Sequence, residues 1–162
     1  MECWFLTQLL EYRMIAAVLS LTFIVATGDE PKLPEAAQKE LKKLEGKWKA
    51  VKAVTNGLEE TPEMDGQEVV VEFKGRKAVV NGKDFFEIAT LDPSTEPRCI
   101  DLKSVVDQGQ IAKGTVFESI YKFDGDDLVL AIHLGADKKR PAKFESEKDS
   151  GVVVVTMKRE KK

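Results

Sequence analysis

The sequence predicts an all-β protein, an antiparallel up-and-down barrel of about eight strands preceded by a short N-terminal helix. Short runs of alternating apolar and polar residues fill the chain from residue 48 onwards, and turn pairs such as Asn56-Gly57 and Asn81-Gly82 separate them. Every connection is too short for a crossover helix, so neighbouring strands must run antiparallel. Closure into a barrel would also protect the four valines at 152–155, which an open sheet would leave at an exposed edge.

The first residues have the pattern of a secretory signal peptide. Arg13 supplies a positive flank, residues 15–25 an apolar centre, and Ala26-Thr27-Gly28 the small residues that precede a cleavage site. A membrane anchor is the weaker alternative, because the apolar centre of about a dozen residues is shorter than the roughly 20 needed to span a bilayer. We therefore expect residues 1–28 to be removed and the mature protein to be secreted or periplasmic, without a membrane anchor.

Two acids make the beginning of the chain a poor signal start. Glu2 and Glu11 lie where a positive region is expected, so Met14 is a candidate initiator. With residues 1–28 as the signal peptide, we assign residues 29–33 to a linker and residues 34–162 to a single barrel domain.

A helix opens the predicted domain. Ala37, Leu41 and Leu44 have the spacing of one helical face, and Gly46 follows as a helix terminator. Trp48 comes two residues later, at the start of the first strand-like segment. The strand-like segments, in order, are residues 48–55, 69–74, 77–80, 85–91, 100–103, 115–123, 128–134 and 152–159, with a short extended piece at Phe144.

The order of helix, Gly-x-Trp, meander and a basic residue on the last strand resembles the lipocalin group of ligand-binding barrels. In that group the tryptophan closes one end of the barrel beneath an arginine from the final strand. The resemblance implies that Gly46, Trp48 and Arg159 close the barrel here.

A closer resemblance is to a lipocalin-like domain family found in secreted proteins of planctomycete bacteria, and it covers nearly all of residues 44–160. Ser119 departs from it, because the family commonly has glycine before Ile-Tyr. That family has no established chemistry, so the resemblance implies a fold and a compartment rather than a reaction. The residues that carry it are Gly46-Lys47-Trp48-Lys49-Ala50-Val51, Leu91-Asp92-Pro93-Ser94, Pro97, Ile100-Asp101-Leu102, Ile120-Tyr121-Lys122-Phe123-Asp124-Gly125-Asp126-Asp127-Leu128, Arg140-Pro141-Ala142-Lys143-Phe144 and Lys158-Arg159-Glu160.

Several classes of function find no support in the sequence. A formal net charge of −3 argues against a nucleic-acid partner, which calls for a basic face. His133 is the only histidine, and Cys99 is the only cysteine outside the first 28 residues, so neither a multi-histidine metal site nor a disulfide is readily built. The three acids at 124, 126 and 127 lack calcium-loop spacing and suit a turn instead. We therefore predict no metal, no cofactor and no catalytic residues.

The sequence leaves two functions open. The first is a barrel that holds a small, mostly apolar ligand, and the alternative is a filled barrel that acts as a structural domain or binds a protein or polysaccharide of the cell envelope. Glu87 is either an inward, ligand-orienting carboxylate or an outward residue with Phe86 and Ile88 inside. The residues expected to line the interior are Val69, Val71, Phe73, Phe85, Phe117, Tyr121, Leu130 and Phe144.

Overall fold

One helix precedes eleven strands in the part of the chain that the computed structural model describes, residues 33–109, 111–134 and 139–161. The predicted signal peptide, and the predicted linker apart from Leu33, lie outside these residues. The elements are α1 (Glu35–Leu44), β1 (Gly46–Thr55), β2 (Leu58–Glu60), β3 (Glu63–Met64), β4 (Gln67–Glu68), β5 (Val70–Lys74), β6 (Lys77–Val80), β7 (Lys83–Asp92), β8 (Arg98–Ser104), β9 (Val116–Asp124), β10 (Asp127–His133) and β11 (Val152–Arg159).

Eight of the strands form a closed antiparallel up-and-down barrel, which confirms the predicted fold class. Strands β5 to β11 each pair with the next strand along the chain, and β11 returns to pair with β1. The start of β1 pairs with β5, and its last three residues pair with β2 instead. The hairpin β3–β4 forms a separate two-stranded sheet.

The helix packs against one end of the barrel. Ala37 and Leu44 are 1% exposed and belong to the main hydrophobic core, so the apolar stripe read from the sequence is the buried face. An acid in the first turn and Lys42 and Lys43 in the last turn suit the helix dipole. We call this end, where β1 begins and β11 ends, the closed end, and the opposite end the mouth.

The strands have apolar residues on both faces, and these form two clusters. The larger cluster fills the barrel interior and includes Trp48, Ile88 and Leu128. The smaller one lies on the outer face of β9, β10 and β11, because its members Ile120 and Val129 alternate with inward residues. Phe144, from the connection between β10 and β11, packs against this outer cluster.

Candidate ligand-binding site

Trp48 and Arg159 join the helix to the closed end of the barrel. Trp48 is 1% exposed, and its indole N–H donates to the carbonyl of Leu44 at 2.7 Å. The guanidinium carbon of Arg159 lies 4.1 Å from the indole centroid, within cation–π distance. The same guanidinium donates to the carbonyls of Lys43 and Glu45. Three carbonyls at the end of α1 therefore have partners that the helix cannot supply itself.

Gly46 connects the helix to the first strand. Its φ of +118° lies in a region that residues with a Cβ rarely adopt, and a Cβ at this position would come within 3.0 Å of Arg159 Nη1. The three residues that the resemblance assigned to barrel closure, Gly46, Trp48 and Arg159, thus lie together at one end.

A buried polar cluster that was not expected from the sequence lies next to this closure. Glu40 is 3% exposed and pairs with Arg98 of β8 at 2.7 Å and with Lys43 at 2.7 Å. The burial of Glu40 could have been predicted from its position between Ala37 and Leu44 on the apolar stripe of the helix. A carboxylate at such a position is buried and needs a partner. The ion pair fixes the helix to the barrel.

Tyr121 belongs to the same neighbourhood. It is 1% exposed, and its hydroxyl makes no hydrogen bond of good geometry within the described residues, although the Glu40 carboxylate lies close enough to act on it. Burial, followed by the charge of Glu40, raises the pKa of this phenol well above its usual value. Tyr121 therefore stays neutral and fills space at the base of the barrel.

The interior of the mouth half differs from that of the closed half, because its apolar side chains keep accessible surface. Six apolar residues of this half face inward. Each of them either contacts the main core or alternates along its strand with a residue that does. An inward residue that is partly exposed must border a space that admits water. These inward, half-buried residues are Val69, Val71, Phe86, Ile132, Val153 and Val155.

Small residues also face the interior in the mouth half. Ala53 pairs with Val155, Ser104 pairs with Phe86, and Ser119 pairs with Ile132, so each small side chain faces inward at the level of the half-buried apolar residues. We call the space they enclose with the six half-buried residues the cup. The closed half holds Trp, Tyr, Leu, Ile and Met side chains at the corresponding positions and is filled.

The structure separates the eight predicted interior residues into four groups. Val69 and Val71 line the cup, and Phe117 and Leu130 are buried residues of its wall. Phe73 and Tyr121 belong to the packed core of the closed half. The remaining residues, Phe85 and Phe144, lie elsewhere.

A β-bulge shifts Phe85 away from the position expected for it. The pairing of β6 with β7 loses register between Ala78 and Val79, and the inward residues of β7 are Phe86 and Ile88. Phe85 packs against Phe86 with ring centroids 4.7 Å apart and is buried near the rim. Glu87 faces outward and lies 3.7 Å from Arg76, so of the two interpretations of this carboxylate the outward one is correct.

Phe144 lies outside the barrel, and the expectation that it lines the interior was wrong. Its ring packs against the outer cluster and beneath the ammonium of Lys122, which is 5.0 Å from its centroid. Arg140 explains this placement, because it binds Asp101 at 2.7 Å and the carbonyl of Ser119 at 2.6 Å and so ties the connection to the outer wall. The carboxylate of Asp101 is satisfied by this ion pair.

Four cup residues were absent from the predicted set, namely Phe86, Ile132, Val153 and Val155. The inward orientation of Ile132 could have been predicted, because Leu128, Leu130 and Ile132 occupy every second position and so share one face of the strand. The orientation of the valines at 152–155 could not have been predicted, because four identical residues in a row do not show which of them face inward. Only pairing with Ala53 and Leu130 shows that Val155 faces inward.

Two further cavities lie outside the cup among the described residues. The larger, about 440 Å³, is a groove on the outer face of β1, β5 and β6 with a mostly polar lining that includes Lys47, Glu72 and Glu160. The smaller, about 270 Å³, lies at the rim and is bordered by Phe85 and Val106. The first has the wrong polarity for an apolar ligand, and the second is below the roughly 300 Å³ typical of a drug-sized site.

The remaining candidates for chemistry do not converge. His133 faces outward, and its Nδ1 is buried without a hydrogen-bond partner among the described residues. No group of three or more potential metal ligands forms in the described ranges. Helices long and apolar enough to cross a bilayer are likewise not found in that part of the chain.

Comparisons with known proteins add no assignment. No protein-family model, curated protein or solved structure matches this chain.

Proposed function

We propose that this protein is an extracytoplasmic barrel that binds a small, mostly apolar molecule in the cup. The proposal rests on the partial exposure of Val71, Phe86 and Val155, which face the barrel interior and would be fully buried if it were filled. A ligand that covers them removes apolar surface from water, which is worth about 25 cal/mol per Å². The packed closed half provides a rigid floor, so little ordering of the protein opposes binding.

Compartment and family are parts of the same proposal. The extracytoplasmic location is supported by the signal-peptide pattern of residues 14–28. Membership of the lipocalin-like family is supported by the stacking of Arg159 on Trp48 at the closed end, the arrangement that the resemblance implies.

Native mass spectrometry of the full chain purified from its own host tests the proposal. We expect a non-covalent mass increment that is lost on collisional activation. The variant Ala53→Leu fills the cup from β1 and should abolish the increment, whereas Glu118→Leu adds an apolar side chain to the outer face of β9 and should leave it unchanged. Wild-type protein without any increment under gentle conditions would contradict ligand binding.

A second candidate function is an interaction domain for a polysaccharide or a protein of the cell envelope. The outer groove of about 440 Å³ favours it, because its polar lining suits a hydrophilic partner better than an apolar one. Lys47→Ala with Glu72→Ala should weaken such a partner's binding and leave the mass increment of the cup unchanged.

A further inference from the structure

Below the rim, the inward positions of the mouth half carry no ionisable side chain among the described residues, whereas Glu60 and Lys83, which pair with Ala53 and Val80, lie exposed at the rim itself. The charged residues on the same strands, such as Glu87, Lys103 and Glu118, occupy the alternate, outward positions. The ion pairs at the base of the barrel lie below the level of Trp48, at the closed end. A ligand in the cup therefore meets no counter-charge on the walls below the rim.

The inward hydroxyl groups of Ser104, Ser119 and Thr55 are already engaged in hydrogen bonds within the protein. Ser104 Oγ donates to the carbonyl of Val106 at 2.7 Å, and Ser119 Oγ donates to the carbonyl of Phe117 at 3.2 Å. Thr55, at the rim, donates to Glu60 at 3.2 Å. The hydroxyl protons of these three residues are used inside the protein, so none of the three is a spare donor for a carboxylate, phosphate or sulfonate.

From these two observations we infer that the cup selects neutral ligands poor in hydrogen-bonding groups and rejects otherwise identical molecules that carry a charge. An ion moved into an apolar site without a partner loses its hydration and gains nothing in return. The inference rests on the proposed function and specifies the chemical class that the site accepts: compact hydrocarbon or aromatic molecules rather than fatty-acid anions or amines.

The depth of the cup favours compact molecules. Leu130 is buried in its wall, and Leu134, which is 51% exposed, continues the same face at the rim. Four residues of strand, at about 3.3 Å each and tilted by about 40°, give a depth of about 10 Å. A fused ring system is immersed at this depth, and a long chain is not.

A matched pair of fluorescent probes tests the inference. N-phenyl-1-naphthylamine and 1-anilinonaphthalene-8-sulfonate share one ring skeleton, and the second carries an added sulfonate. Titration of the full chain should show binding of the neutral probe, with affinity for the sulfonate lower by about tenfold or more. The signal of the neutral probe should disappear in Ala53→Leu, which shows that it comes from the cup.

A charge placed in the cup should reverse this preference. Ile132→Lys puts an ammonium at an inward, half-buried position near the mouth and should strengthen binding of the sulfonate relative to the neutral probe. Val116→Lys adds the same charge at an outward position that is 41% exposed, also at the mouth end, and should leave the ratio unchanged. This control separates a charge in the site from a general change in net charge.

The outcomes distinguish the two proposals. Equal affinity of the wild-type protein for both probes, or tighter binding of the sulfonate, overturns the neutral selectivity and leaves ligand binding intact. Failure of both probes to bind overturns the cup itself. A reversal in Val116→Lys as strong as that in Ile132→Lys also overturns the selectivity, because it would locate the effect outside the cup.

Discussion

The closed half and the mouth half of the barrel are built from the same eight strands and the same alternation, and they differ in the size of the inward side chains. At the closed end Trp48, Tyr121 and Leu128 are each 1% exposed. Towards the mouth the inward residues include the small Ala53 and Ser119, and their partners Val155 and Ile132 keep accessible surface. The comparison teaches that a barrel of this size can be stabilised at one end by close packing and leave the other end free for binding.

Substitution of one large aromatic in each half should show the greatest difference. Trp48→Ala removes a buried ring that also supports Arg159, and should lower the free energy of unfolding by about 3 to 5 kcal/mol. Phe86→Ala removes a half-buried ring from the cup wall and should cost about 2 kcal/mol or less, because less surface is returned to water. Urea unfolding at unchanged m-value measures both, and equal losses would contradict the division into a packed and an open half.

The buried ion pair of the closed end should give the next largest effect. Arg98→Met leaves the Glu40 carboxylate buried with Lys43 as its remaining partner, and should cost about 1 to 3 kcal/mol after allowance for the partial exposure of Arg98. The double variant Glu40→Leu with Arg98→Met should recover most of this loss, because the uncompensated charge is gone. If thermal or urea unfolding finds the double variant as unstable as the single one, the pair does not anchor the helix.

Two glycine substitutions measure how tightly the closed end is built. Gly46→Ala places a Cβ 3.0 Å from Arg159 Nη1 at a φ of +118° and should cost about 2 kcal/mol. Gly75→Ala is the matched control, because its φ of +55° is also positive but no atom lies within 4 Å of the added Cβ. We expect a cost of about 1 kcal/mol there, and similar costs at both sites would exclude close packing around Gly46.

Alkaline titration should give the smallest effect. The pKa of Tyr121 is raised in the folded protein, so below the usual value of 10.0 both folded and unfolded states are protonated. As the pH rises above 10.0, the unfolded state loses this proton while the folded state keeps it. The free energy of unfolding therefore falls until the pH reaches the raised pKa of the folded state. Tyr121→Phe should remove this pH dependence and change stability at neutral pH by less than about 1 kcal/mol, since its hydroxyl makes no good hydrogen bond. A phenolate absorbance that titrates near pH 10 in folded wild-type protein and is lost in Tyr121→Phe would contradict the burial of this group, since the comparison removes the contribution of Tyr12.

Part of the candidate site could be predicted from the sequence, and particular residues show where the limit lies. Val69 and Val71 were identified because they share alternate positions with Phe73, and Glu68, Glu72 and Lys74 occupy the positions in the other phase. Phe85 and Phe86 are adjacent aromatics, so the sequence did not show which of the two rings faces the interior. A bulge in the pairing of β7 with β6 decided between them. Phe144 was misplaced because a short extended piece between strands does not reveal which face it covers.

The amino-acid sequence by itself determined the class of the fold. Alternation, tight turns and short connections permit only an antiparallel meander, and these are local properties that a chain carries before it folds. The tertiary structure alone decided that Val155 faces the cup, that Glu40 is buried against Arg98 and that Ser119 and Ala53 lie at the same level inside the barrel. The reason is that register and burial belong to pairs of residues distant in the chain, and no single segment records which partner it will meet.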